Sequence, residues 1–73
     1  MPITYNKLWK LLIDKNMNKT QLKDAANVSS NVIAKMGRDE PIAIESLVKI
    51  CLELGVDIGD VISINKKKVV TNE

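Results

Sequence analysis

The stretch NVSSNVIAKMGR, residues 27–38, holds four side chains whose types and spacing suit recognition chemistry: Ser30, Asn31, Ala34 and Lys35. If a helix begins at Ser30, its sizeable apolar residues are Val32, Ile33 and Met36, and they turn to one side. The other four then line a second face that is small and polar. It offers a hydroxyl, an amide that donates and accepts at once, a methyl and an ammonium. No acid occurs from residue 25 to residue 38. A merely solvated helix face has no reason to exclude carboxylates, whereas a face that meets a polyanion does.

Bond-breaking chemistry has no comparable set. The chain has no histidine to act as a base, and its single cysteine, Cys51, has no partner for a Cys–His pair. The pair of carboxylates in DIGD, residues 57–60, is better used for capping, and it lacks the ligand-dense loop that calcium demands. The glycines form no phosphate-cradling run. The expectation is a protein that is not an enzyme, with no metal, cofactor or small-molecule ligand.

The elements that must position the polar face can be traced along the chain. Thr4 precedes YNKLWKLLIDKN, where Tyr5, Leu8, Leu11 and Leu12 fall at helical spacing, and Trp9 and Ile13 widen the stripe. Trp9 reads as core, since an indole mostly contributes buried area. Asn18 opens NKTQLKDAAN, and Gln21 three residues later completes a capping-box pattern. Leu22 and Ala26 are one turn apart on this second helix. Asn27 suits the left-handed conformation of a tight turn, Val28 plugs the corner, and Ser29 caps the next helix, Ser30 to Met36, with Gly37 near its end. Pro41 marks the break before a fourth helix, Ile44–Leu54, closed by Gly55. Its apolar positions 44, 47, 48, 50, 51 and 54 form a wide stripe, on which Cys51 reads as core. Asp57 can cap a last short helix through Ile62. The segment that follows, SINKKKVVTNE, has no helical period; Val69 and Val70 are candidates for a short strand, although fraying is the default there.

Size and charge set outer bounds. At 73 residues the chain is one small domain with a modest core. No apolar run approaches the ~20 residues that span a bilayer, and Leu11-Leu12-Ile13 is too short for a signal-peptide core of ~7–15 residues. With a lone cysteine, the expected location is the reducing cytoplasm. The net charge of +2 hides a segregation. Residues 1–38 carry seven basic against two acidic side chains, a net of +5; residues 39–60 carry one against six, a net of −5; residues 61–73 carry three against one, a net of +2. One part of the chain suits a polyanion and another would be repelled by it.

A helix, a tight turn and a second helix with an exposed small polar face fit a DNA major groove, ~12 Å wide, which admits one α-helix whose N-terminal residues meet base edges. The segment MNKTQLKDAANVSSNVIAKM, with YNKLWKLLID before it and LVKICLELGVDIGDVI after it, resembles the Cro/C1-type helix-turn-helix transcriptional regulators, in particular the minimal single-domain form found in Gram-positive bacteria. The resemblance spans about residues 4–62. It implies an all-α, compact five-helix, lambda-repressor-like domain over residues 1–64, with the helix-turn-helix at helices two and three, and a basic tail over 65–73.

Carried onto this sequence, the resemblance implies base contacts from Ser30, Asn31, Ala34 and Lys35, with Val32 at the margin. Phosphate contacts fall to Asn18, Lys19, Ser29 and Arg38. Leu22, Val28, Ile33 and Met36 become the internal packing of the motif. Chemistry agrees, because an asparagine amide pairs with adenine N6 and N7, and a lysine reaches guanine O6 and N7 or a phosphate. Three residues depart from the family pattern. Lys23 stands where alanine is frequent and must snorkel; Asn27 replaces a turn glycine; Ala43 replaces a capping serine, weakening that helix end by ~1 kcal/mol.

The implied function is sequence-specific binding of double-stranded DNA to regulate transcription, as a homodimer, because one recognition helix reads too few base pairs. Val56, Ile58, Val61 and Ile62 are the dimer candidates, more apolar side chains than so short a segment can bury at home. A different reading keeps the fold but makes it a protein-interaction module that docks a basic partner on the acidic 39–60 surface. Membrane attachment through Lys66–Lys68 is not expected, since three lysines fall short of the usual 4–8.

Overall fold

The computed structural model describes residues 2–65. Among the described residues four helices carry the architecture: α1 Asn6–Asp14, α2 Lys19–Ala26, α3 Ser30–Gly37 and α4 Ile44–Leu54. Two short strands, β1 Ile3–Thr4 and β2 Ser63–Ile64, pair antiparallel with Ile3 opposite Ile64 and Thr4 opposite Ser63. The Asn65 amide extends the pairing by donating to the Pro2 carbonyl at 2.7 Å.

The domain is therefore predominantly helical rather than all-α, and the expected fifth helix is a single 3₁₀ turn, Ile58–Asp60. The reason is local. The segment is short, holds Gly59, and closes with tight bonds from Asp60 N–H to Asp57 O and from Val61 N–H to Ile58 O, both 3.0 Å. Helix nucleation costs more than so short a segment returns. Asp57 N–H also donates to Asp60 Oδ2 at 3.1 Å, so the Asp60 carboxylate of DIGD serves this turn. The expected Val69–Val70 strand and the tail from Lys66 lie outside the described residues.

Each helix contributes an apolar edge to one core: Leu8 and Leu12; Leu22 and Ala26; Ile33 and Met36; Leu47, Ile50, Cys51 and Leu54; Tyr5 just before α1 and Val61 beyond α4 complete it. Burial of each large side chain contributes ~1.5–3 kcal/mol. The stripes of α1 and α4 are narrower than the spacing predicts. Ile13 is 76% exposed, and Ile44 and Val48 also face outward. Gly55 ends α4 at φ 68, as a C-terminal glycine should. Ala43 leaves its N-terminus without a side-chain cap. Thr4 Oγ1 accepts from Asn6 N–H at 3.2 Å at the start of α1.

Tyr5 ties the start of the chain to the loop after α3. It is fully buried; its hydroxyl donates to the Glu40 carbonyl at 2.7 Å and its amide to Asp39 Oδ1 at 3.3 Å. Burial pushes the phenol above its ordinary pKa, and the nearby Asp39 charge adds to this. Tyr5→Phe should lower stability by ~1 kcal/mol, the worth of a typical hydrogen bond, or roughly 4–8 °C in Tm. A folded-state pKa raised above the unfolded value contributes stability below ~pH 10 that is lost as pH rises through the folded value. The Tm gap between parent and Tyr5→Phe should accordingly shrink in alkali; a gap constant with pH would contradict this.

Candidate nucleic-acid interface

The motif is built by local hydrogen bonds that the residue types make possible. Asn18 Oδ1 accepts from Gln21 N–H at 2.7 Å, and Gln21 Oε1 accepts from Asn18 N–H at 2.8 Å. This reciprocal box fixes the entry to α2 by satisfying the Asn18 and Gln21 amides, and the Lys19 and Thr20 amides between them have no intrahelical acceptor. Asn27 takes the left-handed conformation, φ 58 and ψ 48, and turns the chain without a glycine. Val28 N–H then donates to Lys23 O at 3.2 Å, and Ser29 Oγ accepts from Val32 N–H at 3.3 Å to start α3.

Packing decides which face of α3 remains outside. Ile33 and Met36 are buried, with Leu22 from α2 beneath them, and Val28 and Val32 are partly buried against the same core. Ser30, Asn31 and Ala34 are exposed, and Lys35 is half-exposed at their edge. The four expected base-contacting residues thus share the surface of one helix, while the four expected packing residues lie inside or against the core. Asn18, Lys19 and Ser29 are exposed at the two helix starts. Lys23 is half-buried and pairs with Asp24 at 3.2 Å, as a snorkelling stem allows.

Arg38 stands differently. Its Nε donates to Glu40 Oε2 at 2.9 Å and its Nη2 to Oε1 at 3.2 Å, a two-pronged pair on the surface. These bonds hold the Glu40 carboxyl below its ordinary pKa and raise that of the Arg38 guanidinium. In the structure Arg38 is therefore engaged by the Glu40 carboxylate. The loop that brings the two together turns at Asp39, φ 55, which supplies the left-handed residue after α3. Gly37 instead sits inside the helix.

Sequence reasoning missed Tyr5, Asp39 and Glu40 as supports of this loop. The neighbouring charges of RDE were visible, but the turn that pairs the first with the third was not. It also misplaced Val61, which is fully buried in the protomer and so unavailable to a partner surface. Val56 and Ile62 are partly buried against the core, and of the four dimer candidates only Ile58 is exposed. Burial raises the Cys51 thiol pKa, with Asp57 and Asp60 adding to it, which suits an unreactive core residue. Among the described residues no cluster of histidine, cysteine or carboxylates could hold a metal, and no helix is long and apolar enough to cross a membrane.

Two helices locked by a left-handed asparagine turn, the second laid open along its polar side, define a helix-turn-helix domain. The family described as the Cro/C1-type HTH DNA-binding domain matches residues 7–67, and the chain belongs to it. The crystal structure of the transcriptional regulator VanUg, form II, is similar at a TM-score of 0.81, with 45% identity over 85% of this chain and 83% of that one. No curated protein matches the chain.

Proposed function

We propose that this protein regulates transcription by reading a specific duplex sequence with α3 in the major groove. The observation that carries the reading is the sidedness of α3: Ile33 and Met36 pin one face to the core, and Ser30, Asn31 and Ala34 stand outside with Lys35 beside them. Ser30 bonds a base or a phosphate, Ala34 lets the helix approach a thymine methyl, and Asn31 and Lys35 address purine edges. Asn18, Lys19 and Ser29 line the helix starts, where free amides and cations meet the phosphate rails. In-vitro selection from random duplexes should return a short consensus. Methylating guanine N7, in the major groove, should block binding to it, whereas blocking only on methylation of adenine N3, in the minor groove, would refute the placement.

Arg38 reaches phosphate by exchanging Glu40 for it. Glu40→Gln should therefore tighten binding to every duplex and steepen the dependence of log affinity on log salt by up to ~0.9, the increment for one more phosphate. Salt titrations that superimpose for parent and variant would remove Arg38 from the contact set.

A homodimer on DNA completes the reading, with half-site centres ~10–10.5 base pairs apart. With Val61 inside the protomer, Ile58 and the outward residues Ile44, Val48 and Leu52 of α4 supply the apolar area for a partner. Sedimentation on the selected duplex should give two copies per site, and one copy on an asymmetric half-site would overturn the dimer.

A further inference from the structure

The ammonium of Lys19 lies 4.5 Å from the centroid of the Trp9 ring. A methyl built on Gly37 would come within 3.9 Å of the same nitrogen. One exposed cation at the start of α2 is thus seated between the ring face of α1 and the last turn of α3, and both are favourable neighbours. The ring quadrupole attracts a cation over its face, and a helix C-terminus carries partial negative charge. Trp9 itself is only partly buried, and among the described residues no hydrogen bond uses its indole N–H. Core packing alone does not account for a half-open indole whose face carries a lysine.

We infer that Trp9 is a positioning residue of the DNA interface, whose ring holds the Lys19 ammonium in place to meet a backbone phosphate. The inference rests on the reading of Lys19 as a phosphate anchor. Lysine side chains lose rotamer freedom when they bind, and a lysine already seated on a ring loses less, so the ring raises affinity without touching DNA. Lys19 stays exposed, so solvent, and a phosphate in its place, can reach the ammonium on the side away from the ring. Because a phosphate contact is independent of sequence, the effect must appear on any duplex.

The test uses the full chain and a mixed-sequence duplex of about three helical turns, ~30 base pairs, titrated by fluorescence anisotropy over a range of salt concentrations. Lys19→Ala should make the salt slope shallower by ~0.9; an unchanged slope and affinity would sink the anchor reading itself. Trp9→Leu should weaken binding about two- to fivefold, the range of an exposed cation–π contact, and should have no further effect in the Lys19→Ala background. Trp9 is the only tryptophan in the chain, so growth on ring-fluorinated tryptophan alters this one ring. Fluorination keeps the ring's shape and weakens its negative face, and it should reproduce the loss with the fold intact by circular dichroism. If Lys19→Ala flattens the slope but the fluorinated ring binds as tightly as the parent, or if Trp9→Leu weakens binding equally in both backgrounds, Trp9 is a packing residue and the inference is wrong.

Discussion

Replacing Val61 with aspartate should unfold the protomer. Val61 is fully buried in the cluster that joins α4 to Leu8 of α1 and to Tyr5 just before it. An uncompensated charge in such a place costs ~3–5 kcal/mol, and the lost valine packing adds to it. A domain of this length has a total stability of only ~4–11 kcal/mol at the usual 0.05–0.15 kcal/mol per residue. Asp57 and Asp60 lie close by in sequence, so a third carboxylate would meet repulsion rather than a partner. Thermal melts followed by circular dichroism should show the transition lost or displaced far below the parent's. Cys51 gives a second readout, since its buried thiol should become open to alkylation under native conditions. The control is Ile58→Asp, at an exposed position on the same segment, which should keep the parent's melting behaviour. A Val61→Asp protein that melts like the parent would show that this residue does not pack inside the protomer.

The contrast between Val61 and Ile58 marks where the sequence stops being informative. Caps and turns were legible because their chemistry is local: Asn18 with Gln21, the left-handed Asn27, Ser29 with Val32, and Gly55 after α4 each act within a few residues. With those points known, the helix-turn-helix and the outward side of α3 follow from the spacing of Ile33 and Met36. What was not legible depends on contacts between distant parts. The Tyr5 hydroxyl meets a carbonyl 35 residues away. Strands of two residues have no periodicity, so the pairing of Ile3–Thr4 with Ser63–Ile64 leaves no pattern to read. The segment Val56–Ile62 offers several apolar side chains, and only the direction in which its 3₁₀ turn leaves α4 decides that Val61 goes in and Ile58 stays out. Trp9 and Lys19 are ten positions apart on different helices, and their meeting is a product of the α1–α2 angle.

Asn31→Ala should abolish discrimination at one base pair in each half-site while leaving general affinity for duplex DNA nearly intact. Three asparagines lie within the motif segment, residues 17–36, and the structure separates their duties. Asn18 is committed to a capping box and Asn27 to a left-handed turn, whereas no hydrogen bond among the described residues holds the Asn31 amide. Asn31 is exposed as the second residue of α3, and residues near the N-terminus of a recognition helix are the ones that meet base edges. Its free carbonyl and amino groups match the N6 and N7 edge of adenine, and losing such a bidentate pair costs ~1–3 kcal/mol of discrimination, roughly 5- to 150-fold. General affinity is set by phosphate contacts, which Asn31 does not make in this arrangement, so the salt slope should stay at the parent's value. Ser30→Ala provides the comparison, since a single hydroxyl that bonds a base or a phosphate should cost less and shift no base preference outright. Selection from random duplexes with the Asn31→Ala protein should yield the parental consensus with one position per half-site relaxed. Recovery of the full parental consensus would mean that Asn31 does not read a base, and that the specificity of α3 lies with Lys35 and the shape of the DNA instead.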